Sequence, residues 1–202
     1  RYGAILFSPM AAQGKGSLPL KDHFKYAKKI ANENNQSFEK EDWRLVTYIY
    51  LSETKEQAWK EVTENIERDM KEYFWVLNGG PEWAKDKSNS EITAEVIAEK
   101  SRWIVGTPDD AIEQLEKINS EVGGMGGLML TTHEWVSPDK QKKSMELFAR
   151  YVIPHFRGHT KDLVKEWEHT EKMSSAGELP RLLGSNLSSD YPQGGNTSNI
   201  KP

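Results

Sequence analysis

Apolar residues along the first half of the chain switch between two spacings. The continuous run Ala4-Ile5-Leu6-Phe7 predicts a strand over residues 3–8, closed by Pro9-Met10 and a stretch whose Gly14 and Gly16 predict a loop. Leu20, Phe24, Ala27, Ile30 and Ala31 then recur at three and four residues, which predicts a helix from Leu20 to about Asn34. In Arg44-Leu45-Val46-Thr47-Tyr48-Ile49-Tyr50-Leu51, β-branched and aromatic residues fill both alternating sets of positions. That is the pattern of a strand covered on both faces, as in a parallel sheet. Thr54-Lys55-Glu56-Gln57 has the spacing of a capping box, and Ala58, Val62, Ile66, Met70 and Phe74 follow at every fourth residue. Together they predict a helix of about five turns.

Asn78-Gly79-Gly80-Pro81 breaks this helix, and the polar stretch from Trp83 to Asn89 predicts an excursion before a short helix over Glu91 to Lys100. Thr107-Pro108-Asp109-Asp110 opens another helix: Thr107 caps, Pro108 needs no donor in the first turn, and the aspartates meet the positive end of the helix dipole. Ala111, Ile112, Leu115 and Ile118 give its apolar stripe, and Gly123-Gly124 stops it. A third strand is predicted over Gly127 to Thr131, and a last helix from about Pro138 to Val152, ending before Pro154. Beyond Gly158 the composition turns polar, with a helix expected between Lys161 and Met173 and disorder from residue 174 onward. Strands joined by helical connections imply right-handed parallel crossovers and an α/β class. The glycine run 123–127 precedes a strand, the wrong order for a phosphate cradle, and predicts a tight turn.

The composition narrows the functional classes. The 202 residues carry a net charge of -4, with lysines interleaved among glutamates, which argues against a nucleic-acid surface. No apolar run approaches the length of a membrane span, and residues 1–20 lack signal-peptide character. With no cysteine, disulfides, thiol catalysis and thiolate metal sites are excluded, and His155, His159 and His169 have no partners at metal-ligand spacing. A cytoplasmic setting is expected. The chain starts at Arg1 within an apolar run and reads as a fragment.

Several segments, in order, resemble the bacterial-luciferase-like flavin-dependent monooxygenases, in particular the limonene-monooxygenase-like branch. Residues 1–8 resemble the sixth strand of that family; Asp42-Trp43-Arg44-Leu45-Val46 and 51–58 resemble the seventh strand and its helix. Val105-Gly106-Thr107-Pro108 is similar to the segment before the last helix-strand unit, and His133-Glu134-Trp135 with 146–156 to the exit of the eighth strand and the closing helix. The resemblance implies that residues 1–158 supply strands six to eight of a (β/α)8 TIM-type barrel, followed by a polar tail, 159–202. It further implies reduced FMN or FAD as cofactor and O2 as co-substrate, with a flavin reductase and a small apolar organic molecule (terpene, alkane, ketone or aldehyde) as partners. A homo-oligomer would fit the family.

Barrel enzymes carry their chemistry at the carboxyl ends of the strands. The resemblance therefore assigns Ser8, Pro9 and Met10 to the flavin, and Trp83, Trp103 and His133 to the substrate pocket or its lid. A strand-end hydroxyl that closes a turn is an equal reading of Ser8, and a backbone-capping role is the commoner fate of a residue such as His133. Trp43, Trp59 and Trp75 read as packing residues. The family's catalytic histidine and flavin-phosphate contacts correspond to nothing in this sequence, so this segment alone is expected to be inactive. A deazaflavin-dependent hydride transfer and a non-catalytic half-barrel are the alternatives.

Overall fold

The computed structural model describes residues 4–11, 17–158 and 167–173. Contacts divide the chain into a unit Arg1–Arg157 and a second unit Gly158–Pro202. In the second, residues 167–173 are helical; most of the polar tail, including everything from 174, lies outside the described residues.

The first unit is an α/β structure around four parallel strands, β1 (Leu6–Pro9), β2 (Trp43–Leu51), β3 (Ile104–Gly106) and β4 (Gly127–Thr131). β2 pairs with all the others: with β1 from Leu6↔Trp43, with β4 from Arg44↔Gly127, and with β3 from Ile49↔Ile104. The amide of Met10 donates to the Val46 carbonyl and that of Ser52 to the Gly106 carbonyl. Both bonds use even-numbered residues, Val46 of β2 and Ser52 just after it, and in a parallel pair one residue's N–H and C=O point to the same neighbour. β1 and β3 therefore follow one another along one edge of β2, while β4 takes the other. Beyond the end of β4, the Leu51 amide donates to the buried Ser144 hydroxyl at 2.8 Å.

Strand alternation sorts the core into two layers. Leu6, Trp43, Leu45, Ile49, Leu51, Leu128 and Leu130 share the face packed under α1 (Leu20–Glu33) and α5 (Pro108–Glu121). Tyr48, Tyr50 and Val105 share the other face, packed under α2 (Lys55–Arg68) and α4 (Ala94–Ser101). Toward the amino ends of the strands this second face is open: Ile5 and Phe7 are half exposed, and Met129 is 39% exposed.

β3 was not among the expected strands. Its three residues are too few to show a period, and the capping signal at Thr107 dominates the pattern there. That capping box is present, with Pro108 in the first turn. The fourfold spacing of the second helix also has a structural consequence. On an α-helix it drifts by about 40° per step, since each residue advances about 100°. Ala58, Val62 and Ile66 are buried along α2, and the wider π-helical turn Asp69–Phe74, which advances less per residue, carries the buried Met70 before the helix resumes as α3 (Trp75–Asn78).

The closing helix α6 (Pro138–Leu147) corrects an expectation: it does not stop before Pro154 but runs through a π-helical stretch, Phe148–Val152, into α7 (Ile153–Arg157). Proline removes one N–H and crowds the carbonyl four residues back, and the wider turn just before it accommodates both. The segment 83–89 is anchored by turns at Glu82–Ala84 and Asn89–Glu91 and by the buried side chain of Ala84.

The glycine run is a turn. The Lys40 ammonium donates to the carbonyls of Gly124 (2.6 Å) and Val122 (3.3 Å) at the end of α5 and lies 4.1 Å from the Phe24 ring centroid. A cation over a ring and at a helix carboxyl end is favourable on both counts. A Cβ on Gly126 would lie 1.7 Å from the Lys40 carbonyl oxygen, a backbone atom that cannot swing aside. Gly126→Ala is expected to destabilise the unit by about 2–4 kcal/mol. Urea unfolding checks this; an unchanged midpoint would show that the turn is free to move.

Candidate functional site

At the carboxyl ends of β2 and β4 the open face of the sheet closes in a cluster of rings. The His133 imidazole stacks on Trp135, with centroids 4.3 Å apart and planes 7° from parallel. Tyr48 lies edge-on to Trp135 at 4.4 Å and to His133 at 5.6 Å, and Trp103 lies 4.9 Å from Trp135 and 6.1 Å from His133. Phe74 completes the ring contacts of His133 at 6.1 Å. These residues come from β2, from the exit of β4, from the α4–β3 junction and from the π-helical turn. Arg102 makes that junction, ending α4 in the left-handed conformation at φ 54°. Its carbonyl accepts from Thr47 Oγ1 at 2.8 Å and its guanidinium forks onto Glu121, which fixes Trp103.

The π-helical turn contributes chemistry as well as packing. Asp69 accepts from the Trp135 indole N–H at 2.7 Å and lies 3.9 Å from His133 Nδ1, while Asn65 donates to the Trp135 carbonyl at 2.6 Å. Beside them is a 570 Å³ cavity whose half-buried base is Phe74, His133 and Asp69 and whose exposed rim is Arg68, Glu72 and Glu134. Among the described residues no group of three or more His, Asp or Glu side chains is placed to hold a metal ion, and no helix is long and apolar enough to cross a membrane.

Burial holds the His133 pKa below its usual value, and the Asp69 carboxylate opposes this more weakly. With the folded pKa depressed, the unfolded chain binds the proton more readily. The contribution to stability is then complete above about pH 6.5 and is lost as pH falls below it. His133→Gln is expected to flatten the decline in stability between pH 7 and pH 5 relative to wild type. Parallel curves from denaturation across that range would contradict the assignment.

The residues assigned from the resemblance are placed differently. Trp103 and His133 meet in the cluster, whereas Trp83 packs against Trp75 at 5.7 Å. Pro9, register partner of Val46, lies on the face that carries Tyr48, and its side chain is exposed. Ser8 and Met10 lie on the opposite face and are buried. The Leu18 carbonyl only accepts, so His23 Nε2, 2.9 Å away, carries the proton and Nδ1 accepts from Ser8 Oγ at 3.0 Å. Ser8 Oγ in turn accepts from the Trp43 indole N–H at 2.8 Å. Ser8→Ala leaves that buried N–H and the imidazole unpaired and is expected to cost about 1–3 kcal/mol, measured as a lower denaturation midpoint; no loss would show that the hydroxyl is dispensable to the fold. Pro9 and Met10 also line a 380 Å³ cavity with Leu18, Leu20, His23 and Arg102. Tyr48, Phe74 and Trp135, expected as strand, helix-packing and motif positions, were not assigned to the site, and Asp69 was not singled out at all. Asp69 sits on a polar helix face with no spacing to mark it, because the π-helical turn that aims it is a matter of backbone geometry.

Comparison with known proteins gives the cluster a context. The chain is 32% identical over 158 residues to limonene 1,2-monooxygenase of Rhodococcus erythropolis, a match that takes in 78% of this chain and 40% of that protein. It is 29% identical over 160 residues to 4-hydroxyprotoasukamycin monooxygenase of Streptomyces nodosus subsp. asukaensis, covering 78% of this chain and 43% of the other. The chain thus spans less than half the length of the curated relatives it matches. No family model matches. Among solved structures, the FMN-bound oxygenating constituent of 3,6-diketocamphane monooxygenase from Pseudomonas putida shares the fold with TM-score 0.55 and 22% identity over 67% of this chain and 39% of that one. A monooxygenase from Streptomyces bottropensis does so with TM-score 0.52 and 18% identity, over 76% of this chain and 42% of the other. By these sequence relatives, over the residues matched, and with a parallel α/β fold, the chain is similar to the luciferase-like flavin-dependent monooxygenases.

Proposed function

We propose that this chain forms the carboxyl-terminal strands of a (β/α)8 barrel that inserts one oxygen atom of O2 into a small apolar organic molecule, using reduced FMN supplied by a reductase. The observation that carries this reading is the ring cluster of Tyr48, Trp103, His133 and Trp135 at the carboxyl ends of β2 and β4, the end of a barrel where its chemistry belongs. The half-exposed Ile5 and Phe7, with Met129, continue the same sheet face downward, as inward-pointing barrel residues do.

Reduced flavin supplies the activation of oxygen when bound; the chain's residues exclude water and position the substrate. Pro9 offers an exposed apolar ring on the substrate-facing side of the sheet, which suits one edge of a flat isoalloxazine. Met10 lines the cavity behind it, and the Ser8 hydroxyl, held by Trp43 and His23, stiffens the strand end. Trp103 and Trp135 present apolar area around His133, and Asp69 holds the Trp135 indole in place. With its pKa held low by burial, His133 stands neutral near pH 7 and keeps a nitrogen able to orient or exchange a proton with a bound oxygen function. Trp83, packed on Trp75, borders this region as part of the segment following the second helix.

Oxygen uptake by the complete protein with reduced FMN, measured against a panel of terpenes, alkanes, ketones and aldehydes, tests the reading. Substrate-dependent uptake with one labelled oxygen atom in the product is expected, and Trp103→Ala is expected to lower kcat/KM about tenfold or more. No FMN-dependent product from any of the four classes would overturn it.

A further inference from the structure

His133 and Trp135 present two stacked rings to one carboxylate. Their planes are 7° from parallel, and the Asp69 oxygen that accepts from the Trp135 indole N–H at 2.7 Å is also the one 3.9 Å from His133 Nδ1. Neither nitrogen of His133 makes a hydrogen bond among the described residues, yet neither is a buried polar atom left unpaired. Solvent therefore reaches the ring, which lines the 570 Å³ cavity. A neutral imidazole carries one proton and can place it on either nitrogen, according to what each nitrogen faces. A lone pair on Nδ1 would turn negative charge toward the Asp69 carboxylate, whereas an N–H there turns positive charge toward it. The other charged groups around the cavity are Arg68 and Glu72 from the second helix and Glu134 beside His133; all three are exposed and screened by solvent. Tyr48, edge-on to His133 from β2, is uncharged, since burial raises its pKa. Asp69, half-buried, is the charge that decides.

We propose that Asp69 is a positioning residue that keeps the His133 proton on Nδ1 and leaves Nε2 to the cavity as an acceptor, so that the ring receives an O–H or N–H from a ligand. The role toward a ligand rests on the reading above; the placing of the proton does not. His23 supplies the contrast within the same chain, with its proton on Nε2 against the Leu18 carbonyl and its Nδ1 accepting from Ser8. Asp69→Asn separates charge from shape: the amide oxygen can still take the Trp135 N–H, but the carboxylate's pull on the His133 proton is gone.

Nitrogen NMR of the full chain, labelled in histidine, reads both rings, because a nitrogen bearing a proton and one bearing a lone pair resonate far apart; His133→Gln identifies the His133 signals. Wild type above the His133 pKa is expected to show Nδ1–H for His133 and Nε2–H for His23. In Asp69→Asn, His133 is expected to lose the Nδ1–H preference and its pKa to fall, since the carboxylate had opposed the effect of burial, while His23 is unchanged. An Nε2–H on His133 in wild type, or unaltered His133 signals in the variant, overturns the proposal. In the complete protein Asp69→Asn is expected to lower kcat/KM about tenfold or more and to move the acid limb of its pH profile to lower pH together with the His133 pKa. An acid limb that stays in place while that pKa falls overturns the acceptor role. If the complete protein turns over no substrate of the panel, the broader reading fails by itself, and the NMR signals alone uphold or overturn the placing of the proton by Asp69.

Discussion

Everything in the first unit depends on β2 being usable on four sides at once. Its two edges carry β1 followed by β3, and β4; its two faces carry two separate apolar layers. A strand in that position can leave neither backbone donors nor polar side chains unpaired without cost, since a buried unpaired group loses its water for nothing. The chain meets the requirement with local substitutes wherever a neighbouring strand runs out. Ser144 takes the Leu51 amide, and the Arg102 carbonyl takes the Thr47 hydroxyl. The Tyr48 hydroxyl is the exception, and it falls where the strand reaches the ring cluster.

The site is a by-product of how the second helix solves its packing problem. An apolar residue at every fourth position drifts gradually around an ideal α-helix, and the π-helical turn that follows α2, with less rotation per residue, offsets the drift at Met70. The same turn swings Asp69 onto the Trp135 indole and brings Phe74 against His133. Packing periodicity and site geometry are in this way one constraint.

That coupling explains what could be read from the sequence. Three of the four strands and the helix at Pro108 were legible because each has a local cause: a short apolar run, filled on both faces in β2, or a capping box with proline in the first turn. β3 was not, being too short to carry a period, and neither was the continuation of the last helix past Pro154, which depends on the π-helical stretch before it. Of the site, Trp103 and His133 were assigned from the family resemblance, and they do meet, whereas Trp83, assigned with them, packs on Trp75. Asp69 and Tyr48 were missed because their roles arise only from tertiary contacts: a carboxylate on a polar helix face and a tyrosine inside a buried strand look ordinary in sequence. The alternation of strand faces, once β1 is registered against β2, separates exposed Pro9 from buried Ser8 and Met10, three neighbours that a linear motif treats alike.

A crystal structure of the complete protein with bound FMN tests the central claim most directly. The account predicts a closed barrel with Phe7 and Met129 pointing inward, and the isoalloxazine ring beside Pro9 on the side of the sheet that carries His133 and Trp103. A flavin seated against the opposite face, beneath α1 and α5, or a sheet whose Phe7 and Met129 face remains on the outside of the molecule, would contradict it.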